Sequence, residues 1–485
     1  MSFVLACDIG GTRMKAALID EKGDFVARES APSPQPVGEA TEVDADLWTR
    51  GFFDLTETLA RADAAAFSQV AAIAVTAVTR TQIFLDAALR PLRPAILWGD
   101  VRAATLIPEL ADLSPGDHPE RERLNAFHPL ARLRWLQRAE PDKAARLAHV
   151  IEPKDFINLR LTGAPASDSV SMARLAAATA KGRDGRSLLD ACGLPASLAP
   201  PLLRPATVLG GTLPALPGAL GRLAGAPVIM TGNDTWTAVL GLGALRPGLA
   251  YNISGTTEVL GLIADHAASA EGLMTVDWGE GLTQIGGPSQ TGGDALAWLS
   301  SIARDATVGG TSASPEALLF LPFLQGERVP YWNPDLRGAF LGLHRSHGPD
   351  DLRRAVLEGV ALLNRVVLTR AERAAGLDAA DIRMGGGGAT PEWAQIKADI
   401  LQRPLAVSAE PEPGLLGAAI AAFAALGSFP SLAAAQDALA RPASRHMPNL
   451  AKARDADRLF RLFEDAHAAV APLSARLAAW TRGGG

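Results

Sequence analysis

The chain has 485 residues, of which 48% are hydrophobic and 20% charged, so it is not a disordered protein and has enough apolar material for more than one core. The formal net charge of −6 excludes a general positive field, so neither nucleic acid nor an anionic membrane surface is expected as a partner. Two cysteines, Cys7 and Cys192, exclude a disulfide framework. No apolar run reaches the roughly 18 residues of a membrane span. Since no leader segment is recognisable either, the expected location is the reducing cytoplasm.

The predicted elements begin with a β-meander. FVLACDIG, MKAALID and DFVARES are three strands, joined by a Gly-Gly-Thr turn and by the turn EKGD. A helix is predicted over 45–66, a buried strand over 70–76 and a further strand over 83–86. Such alternation indicates an α/β layer structure.

A faint internal repeat links the two halves of the chain. DIGGT at residues 8–12 is echoed by NISGT at residues 252–256. Each string follows an apolar strand and leads into another, which predicts strand, tight turn, strand in both places. Chance similarity is the alternative to duplication, whereas two domains of one plan would place both turns at a shared cleft.

A Gly/Pro break near residue 245 is the predicted domain boundary, which gives domains 1–245 and 246–485. In the second domain, the apolar spacing predicts a helix over 349–375, and a final helix is predicted over about 455–480. The closing Gly-Gly-Gly is expected to fray.

The glycine-rich turns are candidates for phosphate binding. Phosphoryl transfer needs backbone N–H groups around phosphates, a carboxylate near Mg²⁺ and a base aimed at the attacking hydroxyl. In DIGGTRMK, two glycines let amides approach an anion, while Thr12 and Lys15 add a hydroxyl and a charge. An ordinary hairpin turn is the alternative. The strand that follows is unlike a P-loop or Rossmann unit, where a helix follows the glycines.

Three further motifs are candidate parts of a phosphoryl-transfer site. SGTTE at 254–258 is a second candidate phosphate turn. Four glycines at 385–388 offer a flat surface for an adenine or a ribose, or else form a permissive loop. Asp234 stands at the start of a predicted helix, where it is either an N-cap or a base that accepts a sugar hydroxyl proton.

Nearly the whole chain resembles the FGGY family of carbohydrate kinases, most closely the xylulose kinase branch. The motifs that carry the resemblance are, in order, DIGGTRMK, ILWGDVRA, EPKDFINLRLTG, TGNDTWTAVLG, ISGTTE, LPFLQGERVPYWNPDLRGAFLGL and GGGGATPEWAQIKADIL. The resemblance implies two actin-like ATPase (ribonuclease H-like) α/β domains with an interdomain catalytic cleft. It also implies an N-terminal sugar-binding domain, a C-terminal nucleotide-binding domain, and transfer of a phosphoryl group from ATP, with Mg²⁺, to a small sugar such as D-xylulose.

The resemblance also implies a role for individual residues. Asp234 would be the catalytic base, and Asp8 and Asp234 would hold Mg²⁺. Residues implied to bind the nucleotide are Gly11, Thr12, Lys15, Gly255, Thr256, Thr257, Gly387, Gly388 and Ala389. Residues implied to bind the sugar are Thr79, Arg80, Trp98, Asp100 and Asp234. A core position for Trp98 and a surface pair of Asp100 with Arg102 are the structural alternatives.

Two departures from the family pattern leave the substrate open. AVTR at 77–80 stands where xylulose kinases usually have Gly-Gln-Met-His, and Gly99 stands where an Asn is common. Both fall where sugar hydroxyls would be contacted. Ribulose, a polyol such as erythritol or glycerol, and a sugar acid are therefore alternatives to D-xylulose, and Arg80 could instead pair with Asp100. A non-catalytic actin-like nucleotide-dependent protein is a further alternative, and a homodimer is left open.

Overall fold

The structure is a computed structural model that describes residues 2–36, 41–114, 116, 118–303 and 316–483. These residues group into two compact units, one of residues 1–241 with 414–439 and one of residues 242–413 with 440–485. Residues 484 and 485 of the closing glycines, predicted to fray, lie outside the described residues. Among the described helices, none is both long and apolar enough for a membrane crossing.

The strands are β1 (Phe3–Ile9), β2 (Arg13–Asp20), β3 (Phe25–Pro32), β4 (Glu42–Val43), β5 (Val70–Ala77), β6 (Ile83–Leu85), β7 (Ala95–Ile96), β8 (His149–Ile151), β9 (Ser167–Asp168), β10 (Leu202–Leu203), β11 (Thr207–Gly211), β12 (Pro227–Met230), β13 (Leu249–Ser254), β14 (Glu258–Ala264), β15 (Met274–Asp277), β16 (Thr283–Pro288), β17 (Leu319–Leu321), β18 (Ala339–Leu341), β19 (Asp381–Gly385), β20 (Leu405–Ser408) and β21 (Pro442–His446). The α-helices are α1 (Ala45–Ala62), α2 (Ala64–Phe67), α3 (Ile107–Leu113), α4 (Pro129–Ala139), α5 (Pro141–Ala144), α6 (Pro153–Thr162), α7 (Ala173–Ala178), α8 (Leu188–Ala191), α9 (Asp234–Gly241), α10 (Gly293–Ile302), α11 (Pro349–Ala375), α12 (Pro391–Leu401), α13 (Pro413–Ala425), α14 (Leu432–Leu439) and α15 (Ala453–Thr481).

The first unit contains a six-stranded sheet, in its described residues, with the order β11-β12-β5-β1-β2-β3. β1, β2 and β3 are antiparallel neighbours, which confirms the predicted meander. β5 lies parallel to both β1 and β12. Leu5 and Ile9 of β1 share a buried core cluster with Phe52 of α1 and Phe156 of α6, so these helices cover one face of the sheet.

The second unit repeats this plan. Its seven-stranded sheet, counted over the described residues, has the order β15-β16-β14-β13-β19-β20-β21. β13 lies antiparallel to β14 and parallel to β19, just as β1 lies antiparallel to β2 and parallel to β5. The outer strand β21 runs antiparallel to β20, as β11 does to β12. Both Gly-Thr turns therefore join antiparallel strands, as their sequences predicted.

Two features differ from the sequence expectations. The helix predicted over 45–66 breaks at Asp63, because the Asp63 carboxylate accepts a hydrogen bond from Ala66 N at 2.9 Å and so starts α2. Residues 414–439 group with the first unit, although a single boundary near 245 had placed them in the second domain. A Cβ on Gly417 of α13 would lie 1.8 Å from the carbonyl oxygen of Thr237 in α9, so the two helix backbones are in direct contact.

Candidate active site

The carboxyl ends of three neighbouring parallel strands carry the candidate residues of the first unit. β12, β5 and β1 lie side by side in the sheet. Asp8 lies near the end of β1, Thr79 and Arg80 follow β5, and Asp234 follows β12. In open α/β sheets, ligands bind beside the carboxyl ends of the strands, where side chains from several strands converge. The topology thus brings together three predicted sites that are far apart in sequence.

Asp8 lies between a lysine and the start of a helix. In the β1–β2 ladder, Asp8 is directly opposite Lys15, and such cross-strand pairs have Cβ atoms about 5 Å apart. A Cβ on Gly414 would come within 2.6 Å of Asp8 Oδ2, so the carboxylate lies against the first turn of α13. The N-terminus of a helix is the positive end of its dipole, so the Asp8 side chain lies at the end of α13 that attracts anions.

In the first candidate phosphate turn, Gly10 is packed against the turn itself and Gly11 has open space beside it. Gly10 N donates to Arg13 O at 3.0 Å, and a Cβ on Gly10 would meet that oxygen at 2.8 Å, so Gly10 closes the turn. A Cβ on Gly11 would meet no atom within 4 Å. Gly11 and Thr12 are exposed. The exposed backbone at Gly11 is therefore the part of the turn that an anion can approach.

Asp234 is not the N-cap of its helix. Asn233 Oδ1 accepts a hydrogen bond from Trp236 N at 2.9 Å and takes that role, while Asp234 is the first residue of α9. The loop is attached to β5 because Thr76 Oγ1 donates to Gly232 O at 3.2 Å and Thr231 Oγ1 donates to Val75 O at 2.5 Å. The capping interpretation of Asp234 is therefore wrong.

The Asp234 carboxyl has a raised pKa. Burial is the main cause, since it penalises the charged form, and it outweighs two opposing effects. Hydrogen bonds from Thr235 N, at 2.6 Å, and Thr235 Oγ1, at 3.2 Å, stabilise the carboxylate, and the positive charge of Arg80 acts in the same direction. A carboxylate whose pKa is raised is a stronger base than an ordinary one, which suits it to accept a proton.

Trp98 and Asp100 have different environments. Trp98 is 50% exposed, so a core position for its side chain is wrong. Asp100 is buried, and its carboxylate accepts hydrogen bonds from Arg102 Nε at 2.8 Å, from Arg102 N at 2.8 Å and from Thr41 Oγ1. Burial alone would raise the pKa of Asp100, but these hydrogen bonds hold it below its ordinary value. The pair with Arg102 is thus observed, in the interior of the unit.

In the second unit, the turn after β13 rests on a buried ion pair that the sequence analysis missed. Lys397 of α12 is fully buried, and its Nζ donates to Glu258 Oε2 and to Asn252 Oδ1, both at 2.7 Å. Ser254 Oγ donates to the other Glu258 oxygen at 2.6 Å. The cluster fixes both ends of the turn that carries Gly255, Thr256 and Thr257.

The glycine run after β19 divides into packed and open positions. Gly386 has a φ of 96°, and a Cβ there would lie 2.4 Å from Ser254 O. A Cβ on Gly388 would lie 2.6 Å from Ser254 Oγ. Both glycines are therefore required by the contact with β13. A Cβ on Gly387 would meet nothing within 4 Å, so Gly387 presents the open surface predicted for adenosine.

We expect Gly387→Val to weaken ATP binding without a loss of stability. The new side chain enters open space in the protein and obstructs only a ligand on that surface. The apparent dissociation constant for ATP, measured by calorimetry, should rise at least about tenfold, which is about 1.4 kcal/mol. The thermal midpoint should stay within about 1–2 °C of the unmodified protein, as for surface substitutions.

Gly388→Val is the contrasting variant, because its side chain collides with Ser254 and should cost about 1–3 kcal/mol of stability. If Gly387→Val left ATP binding unchanged, Gly387 would not belong to the nucleotide site. If it lowered stability as much as Gly388→Val does, the open surface would be misassigned.

The comparisons with known proteins identify the family. Residues 3–241 match the N-terminal domain of the FGGY family of carbohydrate kinases, and residues 250–426 match its C-terminal domain. The chain belongs to this family. As an FGGY carbohydrate kinase, it is an ATP-dependent phosphotransferase with an alcohol group as acceptor.

Similar proteins include kinases for different acceptors. Over 419 residues the chain is 30% identical to the xylulose kinase of Escherichia coli (strain K12). The alignment covers 82% of this chain and 84% of that protein. Over 480 residues it is 27% identical to the gluconokinase of Bacillus subtilis (strain 168), with 92% of each covered. The crystal structure of xylulose kinase from Rhodospirillum rubrum aligns with a TM-score of 0.84 at 26% identity, covering 97% of this chain and 99% of that chain. This match confirms the predicted two-domain, actin-like ATPase fold.

Proposed function

We propose that this FGGY kinase transfers the γ-phosphoryl group of MgATP to a hydroxyl of a small sugar, with a ketopentose such as D-xylulose as the first candidate. The carboxyl of Asp234 carries the proposal, because burial raises its pKa and Asn233 has taken over the capping role. Asp234 accepts the proton of the hydroxyl as the sugar oxygen bonds to the γ-phosphorus. The bond from that phosphorus to the bridging oxygen breaks, and ADP leaves.

The two units divide the binding tasks in this proposal. The first unit supplies Asp234, Thr79, Arg80 and Trp98 for the sugar, and the exposed amides of its first turn, with Thr12 and Lys15, for phosphate. Asp100 is left out of this set, because its buried carboxylate is already bound by Arg102 and Thr41. The second unit binds the nucleotide, with the turn at 255–257 on its phosphates and residues 387–389 on its adenosine. Support comes from the open backbone at Gly11 and Gly387, where an added Cβ would meet no atom within 4 Å.

Mg²⁺ fits the carboxylates of the first unit. Asp8 and Asp234 lie at the same edge of its sheet, and the described residues contain no group of three or more His, Cys, Asp or Glu that could hold a metal by itself. Mg²⁺ in phosphoryl-transfer sites takes one or two carboxylates and completes its shell with phosphate oxygens and water. When bound, it would neutralise charge on the transferred phosphoryl group.

ADP release measured against a panel of acceptors tests the proposal. The panel contains D-xylulose, D-ribulose, erythritol, glycerol and gluconate, each with MgATP. We expect one acceptor to stimulate ADP release far above the rate with MgATP alone, and D-xylulose to be the best of the five. A polyol or a sugar acid as the best acceptor would overturn the ketopentose assignment, and no stimulation by any of the five would overturn the proposed transfer to a small sugar.

A sugar acid is the second candidate, and the position of Arg80 favours it. The charge of Arg80 acts on Asp234, so the guanidinium lies near the proposed base. A guanidinium donates to two neighbouring hydroxyls or, more strongly, to a carboxylate. One of the similar proteins named above is a gluconokinase.

Arg80→Ala is expected to raise KM for the preferred acceptor by about 10- to 100-fold, because one or two charge-assisted hydrogen bonds are lost. KM for ATP should change little. Steady-state kinetics with each substrate varied in turn measures both constants. A similar rise in both constants would assign Arg80 a structural role, and an unchanged acceptor KM would remove it from the sugar site.

A further inference from the structure

Arg80 adopts a backbone conformation that its residue type disfavours. Its φ is 57°, in the left-handed region that glycine enters easily and other residues rarely enter. Such a conformation persists when neighbouring groups hold it in place, and it is often associated with function. The sequence keeps a long cationic side chain at a position where glycine would be the easier choice.

The amide of Arg80 is held by a buried acid. Arg80 N donates to Glu152 Oε1 at 2.6 Å, and Thr79 Oγ1 donates to the same oxygen at 3.3 Å. Glu152, which immediately precedes α6, is only 3% exposed. Burial raises the pKa of Glu152 well above its ordinary value, and nearby Asp155 adds to the effect.

The carbonyl of the same residue is held by a buried base. Arg132 of α4 is fully buried, and its Nη1 donates to Arg80 O at 2.5 Å. Its Nη2 donates to Leu97 O at 2.8 Å and to Asp100 O at 3.2 Å, on either side of Trp98. Burial lowers the pKa of Arg132 to about 10, so the guanidinium is still charged at neutral pH.

We propose that Glu152 and Arg132 are positioning residues. They hold the backbone N–H and the backbone carbonyl of Arg80, as a clamp on both sides of the residue, and thereby direct the Arg80 side chain toward the acceptor sugar. Arg132 also sets the backbone of the Trp98 loop, and Glu152 also forms a capping box with Asp155 at the start of α6. This inference rests on the proposed function of the site. Preorganisation reduces the ordering cost that binding would otherwise carry, so the clamp should affect acceptor binding more than nucleotide binding.

The kinetic test is a double-mutant cycle with Arg80. Glu152→Leu removes the carboxyl oxygens that accept these hydrogen bonds and keeps a similar side-chain volume. It should raise KM for the sugar acceptor about tenfold, while KM for ATP stays within about twofold. Glu152→Gln keeps an acceptor oxygen and should restore most of the loss. In the Arg80→Ala background, Glu152→Leu should change the acceptor KM by less than about twofold, since the side chain it positions is gone.

A variant of Arg132 provides an independent test of the clamp. Arg132→Met should raise the acceptor KM about tenfold in the unmodified background and still raise it a few-fold beside Arg80→Ala, because the Trp98 loop also loses its support. Arg138→Met is the matched control, since Arg138 lies on the same helix, is exposed and pairs with Glu109. Equal effects of Glu152→Leu with and without Arg80, or no rescue by Glu152→Gln, would overturn the clamp.

Amide hydrogen exchange tests the clamp without any activity. In the intact chain, the Arg80 amide should exchange at least about tenfold more slowly than in Glu152→Leu, while a peptide from β3 is unaffected. Equal exchange in both proteins would overturn the clamp even if the kinase proposal holds. Slow exchange in a protein that phosphorylates no acceptor would overturn the proposed function, and with it the role in sugar binding, but not the clamp.

Discussion

Asp234→Asn is expected to lower kcat for sugar phosphorylation by about 10²-fold or more, while ATP binding is largely kept. The amide keeps the shape of the carboxylate and can still accept the hydrogen bond from Thr235 N, but it cannot take the hydroxyl proton. Single-turnover formation of sugar phosphate measures the chemical step, and calorimetry measures ATP binding. Near-normal turnover would exclude Asp234 as the base.

The stability of this variant separates the base from a merely structural residue. The pKa of Asp234 is raised in the folded protein, so its ionisation opposes folding as pH rises above the unfolded pKa of about 3.9. Asp234→Asn should therefore unfold no more easily than the unmodified protein at neutral pH, and any gain should vanish in acid. Asp54→Asn, at an exposed position on α1, is the matched control. A clear loss of stability would instead indicate a structural role.

Local sequence patterns were sufficient to predict the two Gly-Thr turns and the strands on either side of each. Alternating apolar strands joined by DIGGT and by NISGT predicted two antiparallel pairs, because the signal for a hairpin lies within about 15 residues. The parallel pairing of β5 with β1 and β12 carries no such signal, since the partners are brought together only by the fold. The convergence of Asp8, Arg80 and Asp234 at one sheet edge was accordingly an implication of the family resemblance.

The glycine run shows a different limit. Four consecutive glycines are equivalent in the sequence, and a bulky substitution at Gly388 would have been the natural test of nucleotide binding. The structure separates them, because Gly386 and Gly388 are in close contact with Ser254 while Gly387 is open. Only the packing of β13 against this loop distinguishes a glycine that leaves open space from one that the fold requires.

The buried charges were missed for a related reason. Charged residues such as Glu152, Arg132 and Lys397 are usually exposed. A single charged residue in or beside a predicted helix does not indicate which group it pairs with. For Lys397 a signal does exist, since Trp393 and Leu401 lie four residues on either side and place it on the apolar face of α12. Arg132 has no comparable signal, because its partners are backbone carbonyls of distant loops.

Lys397→Met is expected to cost about 3–5 kcal/mol, the usual consequence of leaving one member of a buried ion pair without its partner. Glu258 is only 1% exposed and would lose the ammonium group with which it pairs. The pKa of Lys397 is lowered by burial, an effect that the charge of Glu258 opposes, so the ammonium depends on this carboxylate. The thermal midpoint of the second unit should fall by about 10 °C or more. Differential scanning calorimetry measures it.

The double variant Lys397→Met/Glu258→Gln determines whether the loss comes from an uncompensated charge. Removing both charges should recover at least half of the stability lost in Lys397→Met, because no buried charge is left without its partner and the amide oxygen can still accept from Ser254 Oγ. Lys452→Met, at an exposed lysine 3.6 Å from Asp399, should be within about 0.5 kcal/mol of the unmodified protein. If the double variant were as unstable as Lys397→Met, the loss would come from the packing of the lysine stem against Trp393 rather than from the Glu258 charge, and the turn at 255–257 would not depend on the ion pair.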